Sequence, residues 1–158
     1  MSIDPNNLAV TANLTFADEF NGLSIWNGSG GTWSTNWWYK DEWGLYSKSN
    51  GSTLSNNNEE QWYINANYAP TDAVDPWSVS NGLLSITAAP ADPTIKALID
   101  GYDYTSGMLN SWHSFSQQYG YFEISAKMPA GQGLWPAFWL LPQDGSWPPE
   151  IDVFEFLG

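Results

Sequence analysis

Phe122, Ile124, Ala126 and Met128 alternate with Glu123, Ser125 and Lys127, and Leu84, Ile86 and Ala88 alternate with Ser85 and Thr87. A period of two sends one set of side chains to each face of an extended strand, which an amphipathic helix with its 3.6-residue repeat does not do. Strand-like composition recurs in Leu14–Phe20, Glu59–Ile64, Tyr104–Asn110, Leu134–Leu141 and Glu150–Phe156. Gly-, Pro- and Asn-rich turns such as Asn81-Gly82 and Pro129–Gly133 lie between them. Short strands at such spacing predict an all-β sandwich or barrel. One helix is expected over Asp92–Ile99, with Asp92 as cap and Pro93 at its first position. The Ser/Asn-rich segment Ser47–Asn58 reads as a loop at the rim of a sheet, because strand-like sequence resumes directly after it.

The length of 158 residues suits a single domain. Single-domain β-sandwich proteins commonly run to roughly 200–250 residues, so residues 1–158 are expected to be the N-terminal part of a longer protein. Exposed apolar strand faces and poor solubility in isolation would follow. Seventeen acidic residues against four lysines give a net charge of -13. That sign excludes tracking of phosphates or of an anionic membrane surface, so neither nucleic acid nor membrane is an expected partner. Without cysteine there is no disulfide framework and no thiolate chemistry. Eleven Trp and eight Tyr in a polar chain serve as core filler or as flat platforms for the C–H faces of sugar rings.

The chemistry concentrates in Pro149-Glu150-Ile151-Asp152-Val153-Phe154-Glu155-Phe156, where three carboxylates interrupt apolar strand sequence. Charge on a half-buried strand costs free energy, so its presence calls for a role. Glu150 and Asp152 share a face by alternation, while Glu155, an odd number of residues away, would point to the opposite one. A β-bulge at Val153-Phe154 restores it to the same side. The two glutamate Cα atoms would then lie roughly 13 Å apart, four steps of about 3.3 Å, and inward-leaning side chains would bring the carboxylates to roughly 5–5.5 Å. That separation fits double displacement with retention; an inverting enzyme needs a wider gap for its water. Asp152, shorter and between the two, would hydrogen-bond Glu150 and, by like-charge proximity, leave a proton for Glu155 as acid. A solvated strand or a calcium site are the other readings of three hard oxygen ligands. Upstream, Trp135 and Trp139 are four residues apart on a strand, face the same way, and line either a groove or the core.

Phe16-Ala-Asp-Glu-Phe20, Asn57-Asn-Glu-Glu-Gln-Trp-Tyr63, Asn81-Gly-Leu-Leu-Ser-Ile86, Tyr119-Gly-Tyr-Phe-Glu123, Trp135-Pro-Ala-Phe-Trp139 and Glu150-Ile-Asp-Val-Phe-Glu155 together resemble glycoside hydrolase family 16, from about Leu14 onward. Within it the chain is most similar to the laminarinase/lichenase group, and to secreted bacterial endo-β-1,3-1,4-glycanases acting on succinoglycan-type exopolysaccharide. The resemblance implies a concanavalin-like jelly roll of two antiparallel sheets with an open cleft, cleaving internal β-1,3 and/or β-1,4 linkages with retention. It implies Glu150 as nucleophile, Asp152 as its assistant and Glu155 as acid/base. Trp135, Trp139, Glu59 and Gln61 match substrate-binding positions. No cofactor is required; a structural Ca2+ is a family feature for which Asp18-Glu19 is a candidate contributor. A polysaccharide substrate, a monomer and an extracellular location are the matching expectations. Met1–Asn13 lacks the basic start and apolar middle of a secretory signal, so export is expected to use a C-terminal signal. Met108 stands where many relatives carry a basic residue.

Other classes explain less. A non-catalytic β-glucan-binding module on the same fold keeps the aromatics and loses the glutamates, which are present here. A Trp-rich protein-docking surface leaves the acid triplet unexplained. His113, the single histidine, lies without a nucleophile signature and reads as a surface or rim residue.

Overall fold

The computed structural model describes residues 2–37, 52–54 and 57–158, and most of the expected rim loop Ser47–Asn58 lies outside them. The chain forms two compact units, Phe16–Ser116 and the pair of segments Met1–Thr15 and Gln117–Gly158. Strands outnumber helices: β1 Gln61–Tyr63, β2 Trp77–Ser80, β3 Leu83–Ile86, β4 Ala89–Pro90, β5 Tyr104–Ser106, β6 Ala137–Leu140 and β7 Ile151–Glu155, with helices α1 Leu8–Thr11 and α2 Pro93–Leu98.

In the Phe16–Ser116 unit, β2 and β3 form an antiparallel hairpin in register Trp77↔Ile86 to Ser80↔Leu83. Its two-residue turn is Asn81-Gly82, with φ of 53° and 72°. Both angles lie in the left-handed region that a primed turn requires, and Asn-Gly is the pair that adopts it at least cost. The second sheet has the order β1-β5-β4. Its β1/β5 pair is parallel, Gln61↔Tyr104 through Tyr63↔Ser106, where a purely antiparallel arrangement was expected. The long connection between the two strands, which carries the β2–β3 hairpin and α2, supplies the crossover that parallel pairing needs.

Helix α2 starts as its sequence predicts. Asp92 Oδ1 accepts from the backbone N–H groups of Thr94 (2.8 Å) and Ile95 (3.0 Å). The Thr94 hydroxyl, followed by the two backbone N–H donors, lowers the pKa of this carboxyl against a smaller opposing desolvation, which favours the charged cap. The core of the unit is Trp62, Ile64, Trp77 and Ile99, with Leu84, Ile95 and Tyr102 packed around it. Ile64 and Ile99 are fully enclosed.

Two expected strands do not form. Leu14–Phe20 is irregular, and the segment Phe122–Met128 belongs to no sheet despite its alternation. Period two specifies which faces a strand would present, but a strand also needs a partner edge, and none of the described residues pairs with either segment. In Phe122–Met128 only Phe122 and Met128 are half-buried, and Ile124 is 46% exposed. The short α1 was not expected; Thr11 Oγ1 bonds the Asn7 carbonyl at 2.8 Å.

Candidate active site

The acid triplet lies on the β6–β7 hairpin. The antiparallel register is Ala137↔Glu155, Phe138↔Phe154, Trp139↔Asp152 and Leu140↔Ile151, with a shift between Phe138 and Trp139. Val153 is therefore the extra residue of a β-bulge, at the place the odd spacing of the acids required. Cross-strand partners project from one face, so Ala137, Trp139, Asp152 and Glu155 share a side. Glu150, one residue before the strand, continues the alternation onto that side. The opposite face is apolar: the rings of Phe138 and Phe154 meet at 6.2 Å.

The pairing continues past the assigned strand ends. Phe156 N–H donates to the Pro136 carbonyl and Gly158 N–H to the Leu134 carbonyl, each at 3.0 Å. That register sets Trp135 on the same face as Trp139 and the acids. A Cβ on Gly158 would lie 2.0 Å from the Gly131 carbonyl oxygen, so only glycine lets the chain pass there. Glu150, Asp152 and Glu155 are all exposed, and Trp135 is 46% exposed. The hairpin thus carries three exposed carboxylates, the exposed Trp135 and the half-buried Trp139 on one side.

Sequence reasoning did not single out Trp147. Its indole N–H donates to Glu150 Oε2 at 3.0 Å. The two residues are three apart across Pro148-Pro149, whose rings fix φ and restrict the connecting backbone. An indole donor at that short spacing from a carboxylate was the available signal.

Glu59 and Gln61 belong to the other unit. They alternate with Tyr63 along β1, while Trp62 between them enters the core. Gln61 Nε2 donates to Glu59 Oε2 at 3.0 Å and to Tyr63 Oη at 2.9 Å. With both amide hydrogens engaged, Oε1 remains as an acceptor for a ligand hydroxyl. Burial raises the Glu59 carboxyl above its ordinary value, against hydrogen bonds from Asn57, the Leu54 backbone and Tyr63. Burial, followed by the Glu59 charge, pushes the Tyr63 phenol up to about 12. The Tyr63 ring also meets Trp37 edge-on at 6.0 Å.

His113 stacks on Trp26 at 4.7 Å and tilts against Trp112 at 4.5 Å, and burial lowers its basicity. It is an aromatic filler at an exposed position. A depression of about 340 Å³, lined by residues including Leu23, Ile25, Asp72 and Trp77, lies within the larger unit and contains none of the acid triplet.

The calcium expectation finds little support in side chains. Asp18 accepts from Phe20 N–H through Oδ1 (2.8 Å) and from the Trp33 indole through Oδ2 (2.7 Å). Among the described residues no three Asp, Glu, His or Cys groups gather to hold a metal. The Asp18-Glu19 segment therefore does not fit a carboxylate cage.

Comparison with known proteins identifies the family. The family described as "Glycosyl hydrolases family 16" matches residues 46–158. The chain is 58% identical over 144 residues to the endo-1,3-1,4-beta-glycanase ExsH of Rhizobium meliloti (strain 1021) and 52% identical over 144 residues to EglC of the same organism. Each of these alignments covers 91% of this chain and 30% of the relative. It is 35% identical over 157 residues to the glucan endo-1,3-beta-glucosidase A1 of Niallia circulans, covering 92% of this chain and 20% of that protein. The chain thus spans less than a third of the length of these relatives. No solved structure matches it. With the match over residues 46–158 and the triplet, bulge and indoles all inside it, the chain belongs to glycosyl hydrolases family 16.

Proposed function

We propose that the protein is an endo-acting retaining glycoside hydrolase that cleaves β-1,3 and/or β-1,4 linkages in a β-glucan or a bacterial exopolysaccharide. The observation that carries this reading is the bulge at Val153, which sets the exposed Glu150, Asp152 and Glu155 on one face of the hairpin with Trp135 and the half-buried Trp139. The activities that name the relatives, endo-1,3-1,4-beta-glycanase and glucan endo-1,3-beta-glucosidase, support this substrate class.

In the proposed reaction a Glu150 carboxylate oxygen attacks the anomeric carbon while Glu155 protonates the departing glycosidic oxygen. The covalent glycosyl ester is then opened by water, whose proton Glu155 takes back. Asp152, between them on the strand, orients Glu150. Trp135 and Trp139 stack on sugar faces along the groove, and Glu59 and Gln61 hydrogen-bond sugar hydroxyls. The jelly roll with an open cleft, a monomeric extracellular protein and a reaction without a resident cofactor complete the proposal.

The test is reducing-end release from laminarin, lichenan and succinoglycan by the full-length protein and its Glu150→Gln variant. Release from any one of them that disappears in the variant supports the hydrolase and names the linkage. Binding without release by the parent protein would replace it with a non-catalytic glucan-binding module.

A further inference from the structure

Trp147, whose side chain bonds one of the three acids of the hairpin, comes from the loop that joins the two strands. The loop is ordered by its own polar contacts: Gly145 N–H donates to the Pro142 carbonyl (3.1 Å) and Ser146 N–H to Asp144 Oδ1 (2.9 Å), an Asx turn. Pro148 and Pro149 then fix φ over the stretch between indole and carboxylate. The indole ring is 73% exposed, so it is not held there by burial in a core. Its N–H donates to Glu150 Oε2 at 3.0 Å, which occupies one carboxylate oxygen and leaves Oε1.

A nucleophilic carboxylate must bring one oxygen to the anomeric carbon in line with the departing bond. Rotation about its terminal torsion, which is broad for glutamate, otherwise spreads both oxygens over many directions. A donor fixed on Oε2 limits that rotation. It also offsets negative charge on the oxygen that does not react, in a site that a seated polysaccharide would screen from water. We infer that Trp147 is a positioning residue for the nucleophile, acting through its indole N–H on Glu150 Oε2 rather than by stacking on the sugar. This rests on the proposed role of Glu150.

The test isolates the nucleophile from the acid. A 2-deoxy-2-fluoro β-glucoside oligomer with a dinitrophenolate leaving group needs no proton: the Glu150 oxygen forms a bond to the anomeric carbon as dinitrophenolate departs with the electron pair. The rate of covalent labelling at Glu150 is followed by mass spectrometry in the full-length protein, Trp147→Phe and Ser146→Ala. Phe keeps an aromatic ring and removes the donor. The inference expects the limiting labelling rate of Trp147→Phe to fall about tenfold, with half-saturation unchanged within about twofold, and Ser146→Ala to label at the parent rate. Equal limiting rates in parent and Trp147→Phe would overturn it, as would a change confined to half-saturation, which would mark a stacking role. An equal fall in Ser146→Ala would overturn it in favour of general loop integrity. Absence of label on Glu150 in the parent would overturn the nucleophile assignment itself, and the positioning role with it.

Discussion

At the scale of single residues, three side chains carry separable tasks. Glu150→Gln keeps size and hydrogen-bonding capacity but removes the proposed nucleophile, so kcat is expected to fall on the order of 10³-fold or more while binding of laminari-oligosaccharides persists in calorimetry. Glu155→Ala is expected to lose a similar factor on natural glucan and to recover part of it with azide. The recovered product would be a β-glycosyl azide, because the covalent step remains; an α-azide would reassign Glu155. Glu59 makes a prediction about pH and folding. Burial raises its folded-state value above the ordinary 4.5, so the folded chain holds this proton more tightly than the unfolded chain does. Between those two values stability falls as pH rises. The stability of Glu59→Gln relative to the parent should therefore improve from about pH 4 to about pH 7 in paired denaturant titrations, and a constant difference would contradict the assignment.

At the scale of elements, the hairpin turns on parity. Asp152 and Glu155 are three residues apart, and the bulge at Val153 absorbs the odd count. Deleting Val153 leaves an even spacing without a bulge, so Glu155 keeps its face and activity is expected to stay within about tenfold to a hundredfold of the parent. Deleting Val153 and Phe154 together makes the spacing odd again and sends Glu155 to the apolar side. That variant should fall to the level of Glu155→Ala, and equal activity of the two deletions would refute the parity argument. This element was legible in the sequence because charged residues among Ile, Val and Phe fix a face, and the arithmetic leaves one solution. The Asn81-Gly82 turn and the Asp92-Pro93 helix start were legible for the same local reason: one or two residues determine the backbone there. Phe122–Met128 shows the limit. Its alternation is as regular as any in the chain, but strand pairing depends on a distant partner that the segment does not encode. Trp147 escaped notice because its partner is set by a loop path, and the Gln61 bridge because alternation places Glu59, Gln61 and Tyr63 on one face without showing that they bond to each other.

At the scale of the whole molecule, stability and substrate choice have different origins. The larger unit rests on a small core in which Ile64 and Ile99 are fully enclosed, so Ile64→Ala or Ile99→Ala should each cost about 2–5 kcal/mol in denaturant unfolding. The smaller unit carries large exposed apolar side chains, among them Leu14 (85%), Ile151 (60%) and Leu157 (72%). The net charge of -13 acts at long range. KM for a neutral glucan should be insensitive to salt, whereas KM for an anionic exopolysaccharide should fall as salt screens the repulsion, over the roughly 10 Å range that applies at 0.1 M ionic strength. The proposed mechanism joins the scales: in it, one face of one bulged hairpin performs two inversions at the anomeric carbon. The most direct measurement is proton NMR of the full-length protein acting on fresh laminarin or lichenan, recorded before mutarotation. The account predicts that new reducing ends appear first as the β-anomer; first appearance of the α-anomer would contradict it.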